Sequence, residues 1–307
     1  MLGLWECEAQ NNLWPYSWEF LPQHHKMDYT KKIIDYIRKN IEEKEMTDHT
    51  FAICAYQESP YLEECIYSLK KQTVKSKIIM ETSTPNEYIR KLADKYQIPL
   101  YINEGESGIT QDWNYAYQCA DSKYVTIAHQ DDVYRKDYLE HAMRAVKQFN
   151  RPLIFFSDYY ELRDGKIVKS NTLLRVKRLM LLPLRPKFAQ KSCFIRRRVL
   201  SFGSPICCPS VLYVKENLPK VIFKDGFRSC EDWEAWEMLS KRRGAFVYDS
   251  SALMCHRIHA GSETSAIIGD HARSDEEYIM YCKFWPSWFA KLLNRQYAKG
   301  QKSNNMS

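Results

Sequence analysis

From Thr50 to Ala128 the chain alternates short apolar runs with stretches of helical period, and few architectures accept that rhythm. Phe51-Ala-Ile-Cys-Ala-Tyr56, Lys77-Ile-Ile-Met80, Pro99–Ile102 and Tyr124–Ala128 read as buried strands. Between the first two, Ser59-Pro60 offers an N-cap and a proline at the first helical position. The helix it opens sets Leu62, Ile66 and Leu69 on one face. Asn86–Tyr96 and Thr110–Ala120 are the next two helices. Apolar strands alternating with helices predict an α/β fold: a mostly parallel central sheet with helices on both faces. Ligands in such sheets bind beyond the carboxyl ends of the strands.

The rhythm continues with a helix at Lys136–Phe149, a strand at Pro152–Phe156 and an Asp164-Gly165 hairpin turn. A strand comes next at Cys208–Val214, then a helix at Glu231–Arg243 closed by Gly244. A strand at Ala252–Arg257 leads into His259-Ala-Gly-Ser262, and a helical tail, Asp275–Tyr297, ends the pattern. The domain boundaries expected are an N-terminal peripheral segment at 1–48, a main domain at 49–262 divided near 160, and a helical tail at 263–307. The N-terminal segment holds Trp5, Trp14 and Trp18, a helix near Tyr29–Lys44, and Met27 as an alternative start.

Several classes fall away on composition. No run approaches the roughly 18–20 apolar residues of a membrane span. The first residues lack a basic-then-apolar leader, which predicts no secretory signal. The ten cysteines are scattered through predicted strands and helices, with no C-x-x-C, so reduced thiols in a cytoplasmic protein are expected and not zinc or disulfides. The net charge of +7 is local in origin: between Lys166 and Arg198 there are eleven cations and no acid, leaving the remainder net negative.

Two acidic pairs carry the chemistry. Asp131-Asp132 closes the fourth strand, where a carboxylate suits a hard metal ion. Glu231-Asp232 opens a helix, where a carboxylate suits a general base. Each has an ordinary explanation too. Asp131-Asp132 could cap the helix at Lys136. Glu231-Asp232 could complement the helix dipole, worth only about 0.3–1 kcal/mol.

Taken in order, these residues resemble the inverting family 2 glycosyltransferases of GT-A (Rossmann-like) fold, over roughly Thr50–Ser265. The resemblance rests on Ile53-Cys-Ala-Tyr-Gln-Glu-Ser-Pro-Tyr-Leu62 with Gln72-Thr73, and on Asn103-Glu-Gly with Gly108 and Asn114. It continues through Gln130-Asp131-Asp132, Cys208-Pro-Ser210, Glu231-Asp232-Trp233 and Arg257-x-His259-x-Gly261-Ser262. It implies that Asp131 holds Mn²⁺ or Mg²⁺ on the diphosphate of a nucleotide-sugar donor, UDP-linked, with His259, which could equally be structural, completing the metal or pyrophosphate site. His129 stands where the family has its first acid, a departure that leaves that role open. The resemblance further implies Asp232 as general base, Glu231 as the residue that orients the acceptor, and Arg257 as a phosphate partner. The nucleotide would lie against Ala55, Tyr56, Gln57 and Glu81, with Gly108, Asn114, His129 and Gln130 near the phosphates. Trp233, Trp236 and Leu239 read as the buried face of their helix.

The activity implied is metal-assisted single displacement of a hexosyl or hexosaminyl group onto a hydroxyl of a glycan or lipid-linked glycan, as in surface-polysaccharide synthesis. A non-catalytic glycan- or membrane-binding homologue and a nucleotidyltransferase are the alternatives. The basic segment at 166–198 reads as a solvated face, as a nucleic-acid site, or as peripheral contact with the cytoplasmic leaflet. Nucleic acid is disfavoured because aromatics do not interleave with the charges. Leucines interleaved with cations fit an anionic membrane, with Trp285–Leu293 either a second anchor or a helix closing the core.

Overall fold

The computed structural model describes residues 30–32, 47–259 and 272–304. The predicted helix near Tyr29–Lys44 lies almost wholly outside them, as do Gly261 and Ser262; Thr30–Lys32 are helical. Two compact units divide at Thr47, and the larger, Asp48–Ser307, holds the sheet and the candidate site.

Among the described residues nine strands form one sheet: β1 (His49–Cys54), β2 (Lys77–Thr82), β3 (Leu100–Ile102), β4 (Tyr124–His129), β5 (Val133–Tyr134), β6 (Pro152–Arg163), β7 (Lys166–Val168), β8 (Leu212–Val214) and β9 (Ala245–Ile258). Their order is β3-β2-β1-β4-β8-β6-β9-β5, with β7 paired to β6. The predicted half, β3-β2-β1-β4, is wholly parallel. Beyond it β8 runs antiparallel to both β4 and β6, while β6 and β9 are parallel over most of their lengths.

Side-chain alternation along the strands feeds a core on each face of the sheet. Phe51 and Ile53 of β1 join one cluster, and Ala52 joins the other. The first cluster is covered by α1 (Leu62–Lys70), α2 (Glu87–Tyr96) and α4 (Tyr138–Val146). The second is covered by α3 (Ile109–Cys119), α7 (Cys193–Leu200), α8 (Glu231–Ser240), α9 (Ala272–Cys282) and α10 (Ser287–Asn304). Between them in sequence lie α5 (Thr172–Leu181) and α6 (Lys187–Lys191). The layers are those of the expected α/β fold.

Several boundaries move for physical reasons. The tail predicted as one helix is two, because Pro286 cannot continue α9 and instead opens α10. Met280, Tyr281 and Ala290 from these helices are buried in the core, and Trp285 donates to the Ser201 carbonyl (2.7 Å). The helix predicted from Ser59-Pro60 starts at Leu62, and the Ser59 hydroxyl accepts from the Tyr61 amide (3.3 Å) while donating to Asp131. The Asp164-Gly165 turn forms as predicted, with both residues at positive φ. Gly244 has φ +136°, and a Cβ there would sit 2.7 Å from both the Arg151 carbonyl and Leu153 Cγ, so α8 can pass into β9 only through glycine.

Candidate active site

The site forms where β4 ends. Gln130-Asp131-Asp132 turns out of the sheet, and β5 crosses to pair with β9 at Val133–Cys255 and Tyr134–Met254. That crossing brings β9 beneath the turn. Asp132 is buried, and its Oδ1 accepts from the Arg257 amide (2.9 Å) and contacts His256 Nδ1 (3.0 Å). Burial would raise the Asp132 carboxyl, but His256 and the amide hold it below the usual carboxylate range.

Asp132 therefore anchors the turn, and its neighbour faces outward. Asp131 Oδ1 accepts from the Ser59 hydroxyl (2.8 Å), and its Oδ2 lies 3.0 Å from His259 Nε2. The Arg257 guanidinium donates to the Asp131 carbonyl (2.8 Å), pairs with Glu64 and stacks on Tyr61, 4.2 Å from the ring centre. Tyr61 also packs on His259 at 4.9 Å. Arg257, expected as a phosphate partner, braces the turn through Nε and also lines the cleft.

The loop after β1 is tied to the same turn. The Gln130 side chain accepts from the Tyr56 amide (2.9 Å) and donates to the Tyr56 carbonyl (3.0 Å). His129 stacks on Trp113, with ring centres 4.8 Å apart, and burial pulls its imidazole down to about 4. Its ring is part of the packing at neutral pH.

The second pair opens α8. Asp232 Oδ1 accepts from the Trp233 amide (2.6 Å), and Oδ2 accepts from Ser204 Oγ at the longer distance of 3.4 Å. Glu231 is buried. Trp233 packs as the helix periodicity predicts, its indole donating to the Leu200 carbonyl (2.9 Å).

A cleft of about 490 Å³ joins the two pairs. Tyr56, Gly108, His129, Gln130, Asp131, Glu231, Asp232 and Arg257 line it, as does Asp132. His259 reaches the site through Asp131. Four expected residues stand back. Ala55 is buried and its amide bonds to the Glu81 carbonyl (2.9 Å), while Gln57 is held to Thr84 (2.6 Å). Asn114 ties down the Ile222–Phe223 backbone with its side chain (2.7–3.1 Å). Glu81 is 1% exposed, and burial, then Asp112, pushes its carboxyl up to about 8.

Other lining residues carry no local signal in the sequence. Asp112 and Trp113 come from α3, Lys177 from α5, Arg228 from the loop before α8, and Glu277 from α9. Lys177 is one of eleven cations in its segment with nothing local to distinguish it, and only tertiary packing brings Glu277 from the end of the chain.

A divalent ion fits the donor set in a limited way. Among the described residues no three His, Cys, Asp or Glu side chains are grouped to hold a metal alone. Asp131 and His259 offer one carboxylate and one imidazole, and the buried Oδ2 of Asp132 in the same turn has no hydrogen-bond partner. An ion held there would need its remaining ligands from a bound anion and water, as Mg²⁺-type ions commonly do.

The architecture matches solved glycosyltransferases of GT-A fold. Staphylococcus aureus TarS (residues 1–349, in complex with UDP-GlcNAc) superposes with a TM-score of 0.56 at 15% identity, covering 82% of this chain and 71% of that one. The mannosyltransferase PcManGT of Pyrobaculum calidifontis, in complex with GDP-Man and Mn²⁺, gives 0.53 at 13% identity, covering 87% and 76%. At such identities the likeness is one of fold. An uncharacterized glycosyltransferase of Rickettsia prowazekii (strain Madrid E) is 24% identical over 249 residues, 80% of this chain and 72% of the relative. Its counterpart in Rickettsia typhi (strain ATCC VR-144 / Wilmington) is 23% identical over the same shares. The model of glycosyl transferase family 2 matches residues 50–212, and the chain belongs to that family.

Proposed function

We propose that the chain is an inverting glycosyltransferase that moves a sugar from a UDP-linked donor to a hydroxyl of a glycan or lipid-linked glycan. The observation that carries this reading is that Asp131 and Asp232, from two distant segments, line one cleft in a family 2 chain. The complexes of similar folds with UDP-GlcNAc and with GDP-Man and Mn²⁺ support a nucleotide-sugar donor and a divalent ion.

Asp131 and His259 would hold that ion. When bound, it would neutralise diphosphate charge and make the nucleotide a better leaving group. No second carboxylic acid is then needed to protonate the leaving oxygen, unlike in glycoside hydrolysis. Asp232 accepts the proton of the acceptor hydroxyl as its oxygen attacks the sugar carbon. The Trp233 amide and Ser204 fix the orientation of that carboxylate. A base acting on the face opposite the leaving group gives inversion. Glu231, beside it on the same turn of α8, orients the acceptor. His129, Gln130, Tyr56 and Gly108 form the wall nearest the donor.

A panel of UDP-, GDP- and dTDP-sugars with Mn²⁺, followed by nucleoside diphosphate release, tests the reading. Turnover of one donor supports it and names the sugar. Failure to bind any nucleotide overturns it.

A further inference from the structure

We propose that the face formed by α5, α6 and α7 docks on an anionic lipid bilayer. The helix α5 has two unlike sides. Leu174, Lys177, Arg178 and Leu181 share the inward stripe: the leucines are buried, Lys177 bonds to the Tyr159 hydroxyl (3.0 Å) and Arg178 pairs with Asp158 (2.6 Å). Val176 and Leu179 lie on the other side, 48% and 66% exposed. The same character continues along the chain, with Leu182 at 41%, Phe188 at 74% and Phe194 at 72%. Five large apolar side chains exposed within nineteen positions (176–194), on α5, α6, α7 and the turn at Leu182–Leu184 against which all three helices pack, exceed the scattered exposure of an ordinary surface.

The charges specify the partner. Of the eleven cations of the segment, several are consumed internally. Arg178 pairs with Asp158, Arg197 pairs with Glu237, and buried Arg196 donates to the Ser240 and Gly244 carbonyls. Arg175, Arg185, Lys187 and Lys191 are exposed and form no ion pair among the described residues. Four open cations around exposed leucine and phenylalanine side chains, with no acid between 166 and 198, match a surface that is negative outside and apolar beneath. A protein partner of ordinary composition would leave those four charges unanswered, whereas anionic headgroups supply a field of opposite sign. No helix among the described residues is long and apolar enough to cross a membrane, so the contact is peripheral.

The face also bears on the cleft. Lys177 projects into it from the inner side of α5, while Val176 and Leu179 point outward from the same helix. One helix thus separates the cleft from the docking face, which suits an acceptor carried by a lipid. That last point rests on the proposed activity; the docking does not.

Co-sedimentation of the full chain with vesicles separates the two. Phosphatidylcholine vesicles are compared with vesicles that also contain phosphatidylglycerol, at low and high salt. The chain should partition only onto the anionic vesicles and release in high salt. Each of Arg175→Ser and Lys187→Ser should lower the partition coefficient roughly fivefold. Phe188→Ser with Phe194→Ser should lower it further while leaving the circular dichroism spectrum and nucleotide-sugar binding unchanged. Equal partition onto neutral vesicles, or none onto either, overturns the proposal. So does a wild-type oligomer that Phe188→Ser dissolves, which would make a second copy the occupant.

Discussion

The Asp131 carboxylate and the His259 imidazole meet at 3.0 Å across 128 residues of chain. They meet because Asp132, the next residue, is buried against β9 and fixes the turn that presents Asp131. The proposed metal ligand is thus aimed by its neighbour's structural side chain.

Asp132→Ala therefore tests the anchor. It removes the acceptor for the Arg257 amide and leaves the half-buried His256 without its partner. Leaving a buried donor without its acceptor costs about 1–3 kcal/mol. Urea unfolding should show a lower midpoint with an unchanged slope, and donor turnover should fall with it.

Gly244→Ala tests the passage from α8 into β9. The new Cβ would meet the Arg151 carbonyl and Leu153 at a backbone angle that L-residues rarely adopt. A loss of about 1–3 kcal/mol is expected from the overpacking alone, read as a lower melting temperature. Gly165→Ala, at a turn with open space around it, should cost less.

Glu81 gives the pH dependence. Burial, then Asp112, pushes its folded-state carboxyl up to about 8, whereas the unfolded carboxyl releases its proton near the ordinary value of 4.5. The folded state binds more protons between those values, so stability falls as pH rises across that window. Glu81→Gln has no such proton to lose. Its melting temperature should stay level where that of the wild type falls, with a difference on the order of a few kcal/mol above pH 8. A parallel fall in both would show that Glu81 is not the group responsible.

Much of the first half is legible in sequence because its strands are buried on both faces and its helices have clear stripes, as in Phe51–Tyr56 and Leu62–Leu69. The second half hides its extent. The run of β9 is interrupted by the polar Asp249-Ser250-Ser251, where its register with β6 also slips, so the pattern does not join Ala245–Tyr248 to Ala252–Arg257 as one strand. Pro286 is a visible break inside an otherwise helical period. In the site, the acidic pairs are readable from their positions at element ends. What no local pattern gives is the burial of Glu81, the stacking of His129 on Trp113, or the arrival of Lys177 and Glu277 at the cleft. Each depends on contacts between distant segments.

Asp232→Asn tests the base. Loss of a positioned proton acceptor costs about 10²–10⁴-fold in rate. Transfer to an acceptor glycan should fall by that factor while the dissociation constant for the donor stays near that of the wild type. Glu231→Gln should instead raise KM for the acceptor.

The most direct test compares donor binding by calorimetry in wild type and Asp131→Asn, with Mn²⁺ and with chelator. Wild type should bind the nucleotide sugar tightly only with Mn²⁺, and Asp131→Asn should bind weakly and equally in both conditions. Metal-dependent binding that survives in Asp131→Asn would contradict the assignment of this carboxylate.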